Sequence, residues 1–426
     1  MMQAMGRTLM QHKTVCLVGI ISLLGSIWCG ESAPANANTG VFKLEEIIEL
    51  ALNRNPAMAG AAAAVKQSRG ERTAAGAYMN PSISGTAGRG AITDPRTGVV
   101  ILEHQVTIEQ PVELPGKRRA RQGAADAGLA AAQAGVEHTR LTVLSDVKVA
   151  FYQLLLAQRD VELTIQNLAT MQEIFHMIKA RVDAGQARPF EAVKASVELQ
   201  KAEKDLSRSQ NGLVVARARV DVLTAGALGK NFVVGGDFLS FPQELALDEL
   251  TARSLESHPM LRRLTKRIEQ AEHSIVQERE SRLPYIAVSG TYIREAGNQD
   301  FLMGLRIPLP LWYRRQGEIE AALGARERTE AERMSAQNEL VRNVTEQVQG
   351  AQTARQQLDV FEKGLLKQAE EALRIARISF KQGAASLLDV IDAQRVSRQI
   401  LLEYAQARAD LSVALARLER WTGDLQ

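Results

Sequence analysis

The feature that most constrains this 426-residue chain is that its two halves repeat one another. Leu44-Glu45-Glu46-Ile47, followed by Asn55-Pro56, is matched by Leu247-Asp248-Glu249-Leu250, followed by His258-Pro259. The offset of 203 (259 − 56) also relates Pro81 to Pro284. Gln110-Pro111-Val112-Glu113-Leu114 then pairs with Ile307-Pro308-Leu309-Pro310-Leu311, and Lys117-Arg118 with Arg314-Arg315, at an offset of 197 (308 − 111). Gly185 pairs with Gly383 and Thr224 with Thr422, both at 198 (383 − 185). Length changes collect in loops while rigid helices resist insertion, so the long stretch of nearly constant offset is expected to be helical.

Each half, 38–240 and 241–426, reads as a helix, two strands and a long helical hairpin. Residues 57–78 and 260–282 have helical composition and stop before Pro81 and Pro284, which cannot continue a helix. Strands are expected at about 81–110 and 284–308. Phe301, Met303, Leu305 and Ile307 alternate with Leu302, Gly304 and Arg306, and Val106-Thr107-Ile108-Glu109 alternates likewise. The polar stretches 90–98 and 295–300 join the strands of each pair.

Hairpins follow at about 117–224 and 314–422. Their first arms, 117–184 and 314–381, contain no proline; as single helices they would each extend about 100 Å. Return helices are expected at 191–223 and 387–421. A return helix of about 50 Å, stacked on the helix of about 33 Å that opens each half, nearly matches the long arm. Ile400, Tyr404, Ala407, Leu411, Leu415 and Leu418 recur every three or four residues, the seam of coiled-coil packing.

At the start of the chain, Arg7, His12 and Lys13 precede an uncharged apolar run from 14 to 28, and Ala35-Asn36-Ala37 supplies small residues for cleavage. This predicts a signal peptide over 1–37. Cys29 invites a lipoprotein reading, but Ser26-Ile27-Trp28 lacks the Leu and the small residue expected before a lipidated cysteine. Both cysteines, Cys16 and Cys29, fall in this leader, so no disulfide or thiolate metal site is expected in the mature chain. No later stretch is apolar enough for a transmembrane helix, which leaves β-strands as the means of crossing a membrane.

The formal charge of +3 becomes +2 without Arg7, Lys13 and Glu31, too balanced to point to nucleic acid. Aromatic residues make up only 4%, fewer than a compact enzyme core usually holds. No two of His104, His138, His176, His258 and His273 have metal-ligand spacing on one helix. Phosphate loops, nucleophile elbows and paired catalytic motifs are missing as well. The expectation is a protein that is not an enzyme, with no catalytic, metal or cofactor-binding residues and no cofactor.

In this order of parts, with Asn55-Pro56 and His258-Pro259 after opening helices and hairpins turning at Ala184-Gly185 and Gln382-Gly383, the chain resembles the TolC family of outer-membrane efflux proteins. The resemblance implies a mainly α fold with a β-barrel portion: a homotrimer in which four strands per protomer build an outer-membrane barrel, continued by a periplasmic coiled-coil tunnel. Four strands alone cannot close a barrel. Gln110 to Arg118 (QPVELPGKR) looks like the barrel-to-helix junction of the heavy-metal, cobalt-zinc-cadmium branch. Pro111 and Pro115 are expected to end ladder pairing and Gly116 to permit a bend, with Lys117 and Arg118 meeting polar lipid or solvent and Pro308 marking the matching junction in the second half.

The function so implied is passive conduction of exported solute, heavy-metal cations in the branch reading. Partners would be a periplasmic adaptor (membrane fusion protein), an inner-membrane RND pump and outer-membrane lipid. The alternatives are a channel for organic toxicants, or a periplasmic adaptor or coiled-coil protein; two duplicated hairpins with strands argue against an adaptor. Asp389 and Asp392 share a face near a helix N-terminus, which by itself reads as dipole complementation on a solvated surface. The resemblance adds a second reading, a periplasmic constriction lined by this pair. It also makes the segments 181–190 and 380–387, with Arg181, Gly185, Phe380 and Gly383, the candidates for adaptor docking.

Overall fold

The computed structural model describes residues 40–93, 100–242, 245–295 and 298–423. The leader expected over 1–37 and most of the expected loop at 90–98 lie outside them. The first repeat opens with β1 (Val41–Phe42), α1 (Leu44–Arg54) and α2 (Pro56–Gly76), then β2 (Ser82–Thr93) and β3 (Val100–Val112). Its hairpin is α3 (Pro115–Asp183) and α4 (Pro189–Leu223), and β4 (Val233–Val234) follows. The second repeat contains α5 (Leu247–Ser257), α6 (Pro259–Glu280), β5 (Ile286–Glu295), β6 (Asn298–Arg306), α7 (Gln316–Val360), α8 (Leu366–Lys381) and α9 (Leu387–Thr422).

Prolines set several of these starts. Pro56, Pro115, Pro189 and Pro259 each stand in the first turn, where the missing N–H costs nothing and the fixed φ suits a helix. The long arm thus begins at Pro115, two residues before the expected Lys117, and its 69 residues give a rod of about 100 Å. It serves as the spine against which α2, α4, α6 and α9 all pack.

Two expectations need correcting, and one element was not expected. Pro111 does not end the ladder: β3 runs on to Val112, with Pro111 opposite Ala287 and Val112 opposite Ile286. Pro111 lies beyond the last β2 partner, the Ser82–Glu109 pair, at the margin of the sheet where a residue without an N–H is tolerated. The second long arm is not one helix, because a π-helical turn at Phe361–Leu365 separates α7 from α8 and Gly364 takes φ 152° and ψ −18°. Only glycine populates that region readily. The short parallel pair of β1 with β4, Val41 opposite Val233 and Phe42 opposite Val234, had no signature in the sequence.

The strands form a four-stranded antiparallel sheet in the order β2-β3-β5-β6. Register assigns its faces. Ile83, Val106, Ile108, Val288, Tyr292, Phe301, Met303 and Leu305 fall on one side, with Gln110 toward one end and His104 and Arg294 toward the other, while Ser84, Gln105, Thr107, Glu109, Ser289, Thr291 and Arg306 fall on the other side, together with Ile293 and Leu302. The second side is bonded across strands, Thr107 Oγ1 to Thr291 Oγ1 at 3.0 Å and Arg306 to Glu109 at 2.8 Å. The middle of the sheet is therefore apolar on one face and mainly polar and cross-linked on the other, the alternation of a strand whose two sides meet different surroundings.

Cores are strung along the helices. One gathers Ile47, Val147, Phe151, Tyr152, Val220, Phe232 and Val234 around β1 and β4. Smaller clusters join α6 to α7 through Leu261, Leu264 and Leu340, and α7 to α9 through Ala351, Leu411 and Ala414. A separate cluster lies at the helix turns.

Helix turns, carboxylates and the sheet-to-helix junction

The two hairpin turns are built alike. Gly185 has φ 72° and Gly383 φ 78°, and a β-carbon at either would meet nothing within 4 Å. Glycine is therefore needed for the left-handed backbone and not for space. After Gly185, the Gln186 N–H donates to the Arg181 carbonyl at 2.8 Å; after Gly383, the Ala384 N–H donates to the Ser379 carbonyl at 2.8 Å. These are the closing bonds of a Schellman cap, which satisfy carbonyls the helix end leaves free.

The residues named with those glycines have different roles. Phe380 is only 5% exposed. It packs with Met171, Ile174 and Ile178 of α3 and Val390 of α9, and the Arg181 guanidinium lies 4.9 Å over its ring. Phe380 thus ties the two hairpins together and is not displayed to a partner within this chain. Phe190, at the end of the expected docking segment 181–190, is 72% exposed in the first turn of α4, and its repeat mate Leu388 (388 − 190 = 198), one residue past the expected segment 380–387, is exposed in the first turn of α9. The repeat offset could have found this pair.

Asp389 and Asp392 stand on the exposed side of α9, lining one shallow depression with Leu388 and Val396. Each carboxylate is engaged. Asp389 accepts from the Ser386 N–H at 2.8 Å and its hydroxyl at 2.7 Å, and Ser386 Oγ accepts the Asp389 N–H, completing a capping box. The Ser386 hydroxyl, with the Ser386 N–H, holds the Asp389 carboxyl below the usual aspartate range. Asp392 accepts from Arg395 at 2.6 Å. The repeat mates of the two aspartates are Glu191 and Lys194 (389 − 191 = 392 − 194 = 198), so the paired acid belongs to the second hairpin alone.

At the junction, Arg118 does not turn outward to lipid or solvent. It donates to the Gly76 carbonyl at 2.6 and 3.2 Å, and its guanidinium lies 4.0 Å over the Tyr78 ring. Arg121 adds bonds to the Ala75 and Ala77 carbonyls and a two-pronged pair with Glu113 at 2.6 and 3.0 Å. Cations are thereby drawn to the free carbonyls ending α2, the negative end of its dipole. Gly116 faces the Glu280 side chain, where a β-carbon would overlap the carboxylate. Lys117 lies beside it on α3, and Pro308 sits two residues past β6. The rings of His138 and His258 are 6.0 Å apart, but both nitrogens of His258 are taken by backbone groups, so this is a packed contact and not a pair of ligands.

Comparison with known proteins agrees with this geometry. The model of the outer membrane efflux protein family matches residues 47–226 and 250–424, one match for each repeat. The cobalt-zinc-cadmium resistance protein CzcC of Cupriavidus metallidurans is 27% identical over 386 residues, covering 90% of each chain. Nodulation protein T of Rhizobium leguminosarum bv. trifolii is 24% identical, covering 68% of this chain and 66% of that one. Among solved structures, the Campylobacter jejuni CmeC outer membrane channel superposes with a TM-score of 0.76 at 17% identity, covering 89% of this chain and 85% of that one. The duplicated hairpins, the two-faced sheet and these matches place the chain in the outer membrane efflux protein family, with the TolC-type channel fold.

Proposed function

We propose that this protein is the outer-membrane conduit of a tripartite RND-type efflux system, a homotrimer that passively conducts heavy-metal cations delivered by an inner-membrane pump through a periplasmic adaptor. The observation that carries the reading is the sheet. Its apolar face suits lipid, its polar face suits a water-filled lumen, and its edges β2 and β6 need partners that one chain lacks. Strands of 9 to 13 residues are long enough for a tilted span of the hydrocarbon layer. The helical rods then carry the passage about 100 Å away from the membrane. Support for metal cargo comes from the similarity to the cobalt-zinc-cadmium resistance protein.

In this reading the turns at Gly185 and Gly383 meet the adaptor, with exposed Phe190 and Leu388 beside them and Arg181 and Phe380 bracing the tip. Asp389 and Asp392 of three copies would ring the periplasmic constriction with six carboxylates. Such rings favour cations. Planar-bilayer conductance of the purified protein tests this, comparing the native chain with the double variant Asp389→Asn, Asp392→Asn. The variant should assemble but lose cation preference and sensitivity to divalent block. Unchanged selectivity would leave the two carboxylates as a helix cap and a surface ion pair. Loss of cobalt, zinc and cadmium tolerance on gene deletion, with tolerance to organic toxicants intact, is the expected cargo result.

A further inference from the structure

The connection from β6 to α7 departs from its repeat mate. At the junction offset, Pro115-Gly116 of the first copy correspond to Trp312-Tyr313 of the second (312 − 115 = 197). In the first copy the helix begins at Pro115, whereas in the second nine residues (316 − 306 − 1) separate β6 from α7. This connection is shaped by specific contacts. Arg315 takes a left-handed backbone, φ 59° and ψ 33°, which is unfavourable for a residue with a β-carbon. Its guanidinium is held by Glu278 of α6 at 2.5 Å. Tyr313 folds back on α7, donating its hydroxyl to Glu318 at 2.7 Å and accepting the Gly317 N–H at 3.2 Å.

With its neighbours fixed, Trp312 is left 90% exposed. The Arg314 guanidinium has no hydrogen-bonded or ion-paired partner among the described residues. The alternation of β6 also continues into the connection: Phe301, Met303, Leu305, Ile307, Leu309 and Leu311 take every second position, and all are exposed. Phe301, Met303 and Leu305 lie on the sheet face read above as lipid-facing; past the end of β6 at Arg306 the Leu311 N–H donates to the Leu309 carbonyl at 2.9 Å, and this turn leads from the exposed Leu309 and Leu311 to an aromatic ring bearing an N–H and an unpaired cation. Tryptophan and arginine are suited to the boundary between hydrocarbon and water, with the ring buried and the polar group among headgroups.

We infer that residues 307–315 form a membrane-interface anchor: Trp312 seats among the headgroups on the helix side of the sheet, and Arg314 pairs with the phosphate of an anionic phospholipid. The inference rests on the barrel reading, so its test must separate the two. The full chain has three tryptophans, Trp28, Trp312 and Trp421, so the fluorescence lost on Trp312→Phe isolates the signal of Trp312. Purified protein is reconstituted in vesicles of phosphatidylcholine and phosphatidylglycerol, with or without bromine atoms on the lipid near the headgroup. Conductance of the same preparations reports insertion independently.

The Trp312 signal should lose most of its intensity to brominated lipid. Arg314→Gln should conduct normally yet retain phosphatidylglycerol over phosphatidylcholine about fivefold less strongly after purification, the effect of one cation at a membrane surface. An unquenched Trp312 in protein that conducts would overturn the anchor and leave the barrel standing. Unchanged lipid retention by Arg314→Gln would overturn its pairing with phosphate. Loss of conductance from the native protein would instead count against the barrel and the anchor together.

Discussion

His258 donates its Nε2–H to the carbonyl oxygen of Arg420 at 3.0 Å while its Nδ1 accepts the Met260 N–H at 3.2 Å. Asn55 does the same work in the other repeat, accepting the Ala57 N–H at 2.9 Å and donating to the Leu223 carbonyl at 2.9 Å. Each residue starts one helix and holds the end of another. His258→Ala or Asn55→Ala should therefore cost about 1–2 kcal/mol, whereas His258→Asn should retain most of the stability. Thermal unfolding in detergent reads the difference.

Acid should weaken the same region. Burial pushes His138 down to about 4, with Arg263, His258 and Arg420 adding to it, and burial also lowers His258. Both folded-state values lie below the ordinary one, so as pH falls the unfolded chain takes up protons first. Stability is full above about pH 6.5 and declines as pH falls toward about 4. His138→Asn should flatten that decline in thermal unfolding measured at neutral and acid pH.

The bond between Arg121 and Glu113 should be the most sensitive charge contact at the sheet-to-helix junction. The Glu113 side chain is 6% exposed, so Arg121→Met would leave a buried carboxylate unpaired at a cost of about 3 kcal/mol. The paired change Arg121→Met with Glu113→Gln should recover much of it. Equal losses in the single and double variants would mean that the bonds of Arg121 to Ala75 and Ala77 matter more than the ion pair.

At the turns, Gly185→Val and Gly383→Val introduce a β-carbon into open space but into an unfavourable backbone, costing about 1–2 kcal/mol each. Trimer formation and export should persist, while cross-linking to the adaptor and metal tolerance fall. Normal adaptor contact in both variants would move the docking surface elsewhere.

The sequence showed most of the architecture because rigid parts keep their register. The repeat offset located both hairpins, and Pro81, Pro284, Gly185 and Gly383 marked boundaries by restricting backbone angles. What it hid depended on distant partners. Arg118 looks like a solvated first-turn cation until α2 brings the Gly76 carbonyl to it. Phe380 looks like a tip residue until α3 closes over it. The π-helical turn at Phe361–Leu365 has no proline to announce it, and Gly364 alone is a weak signal within a helical tract. The depressed pKa of Asp389 arises from Ser386, a capping contact the sequence pattern S-x-x-D already contained.

A barrel closed from three chains requires β6 of one copy to pair with β2 of the next, and disulfide trapping tests that pairing most directly. Ser84→Cys on β2 is combined in turn with Leu302→Cys, Gly304→Cys or Arg306→Cys on β6, all on the polar face. Within one chain β2 and β6 are three strand spacings apart, about 14 Å, too far for a disulfide. Oxidation of the purified protein should give a covalent trimer for at least one pairing. If every pairing stays monomeric while the protein remains folded and membrane-embedded, the three-chain barrel is wrong.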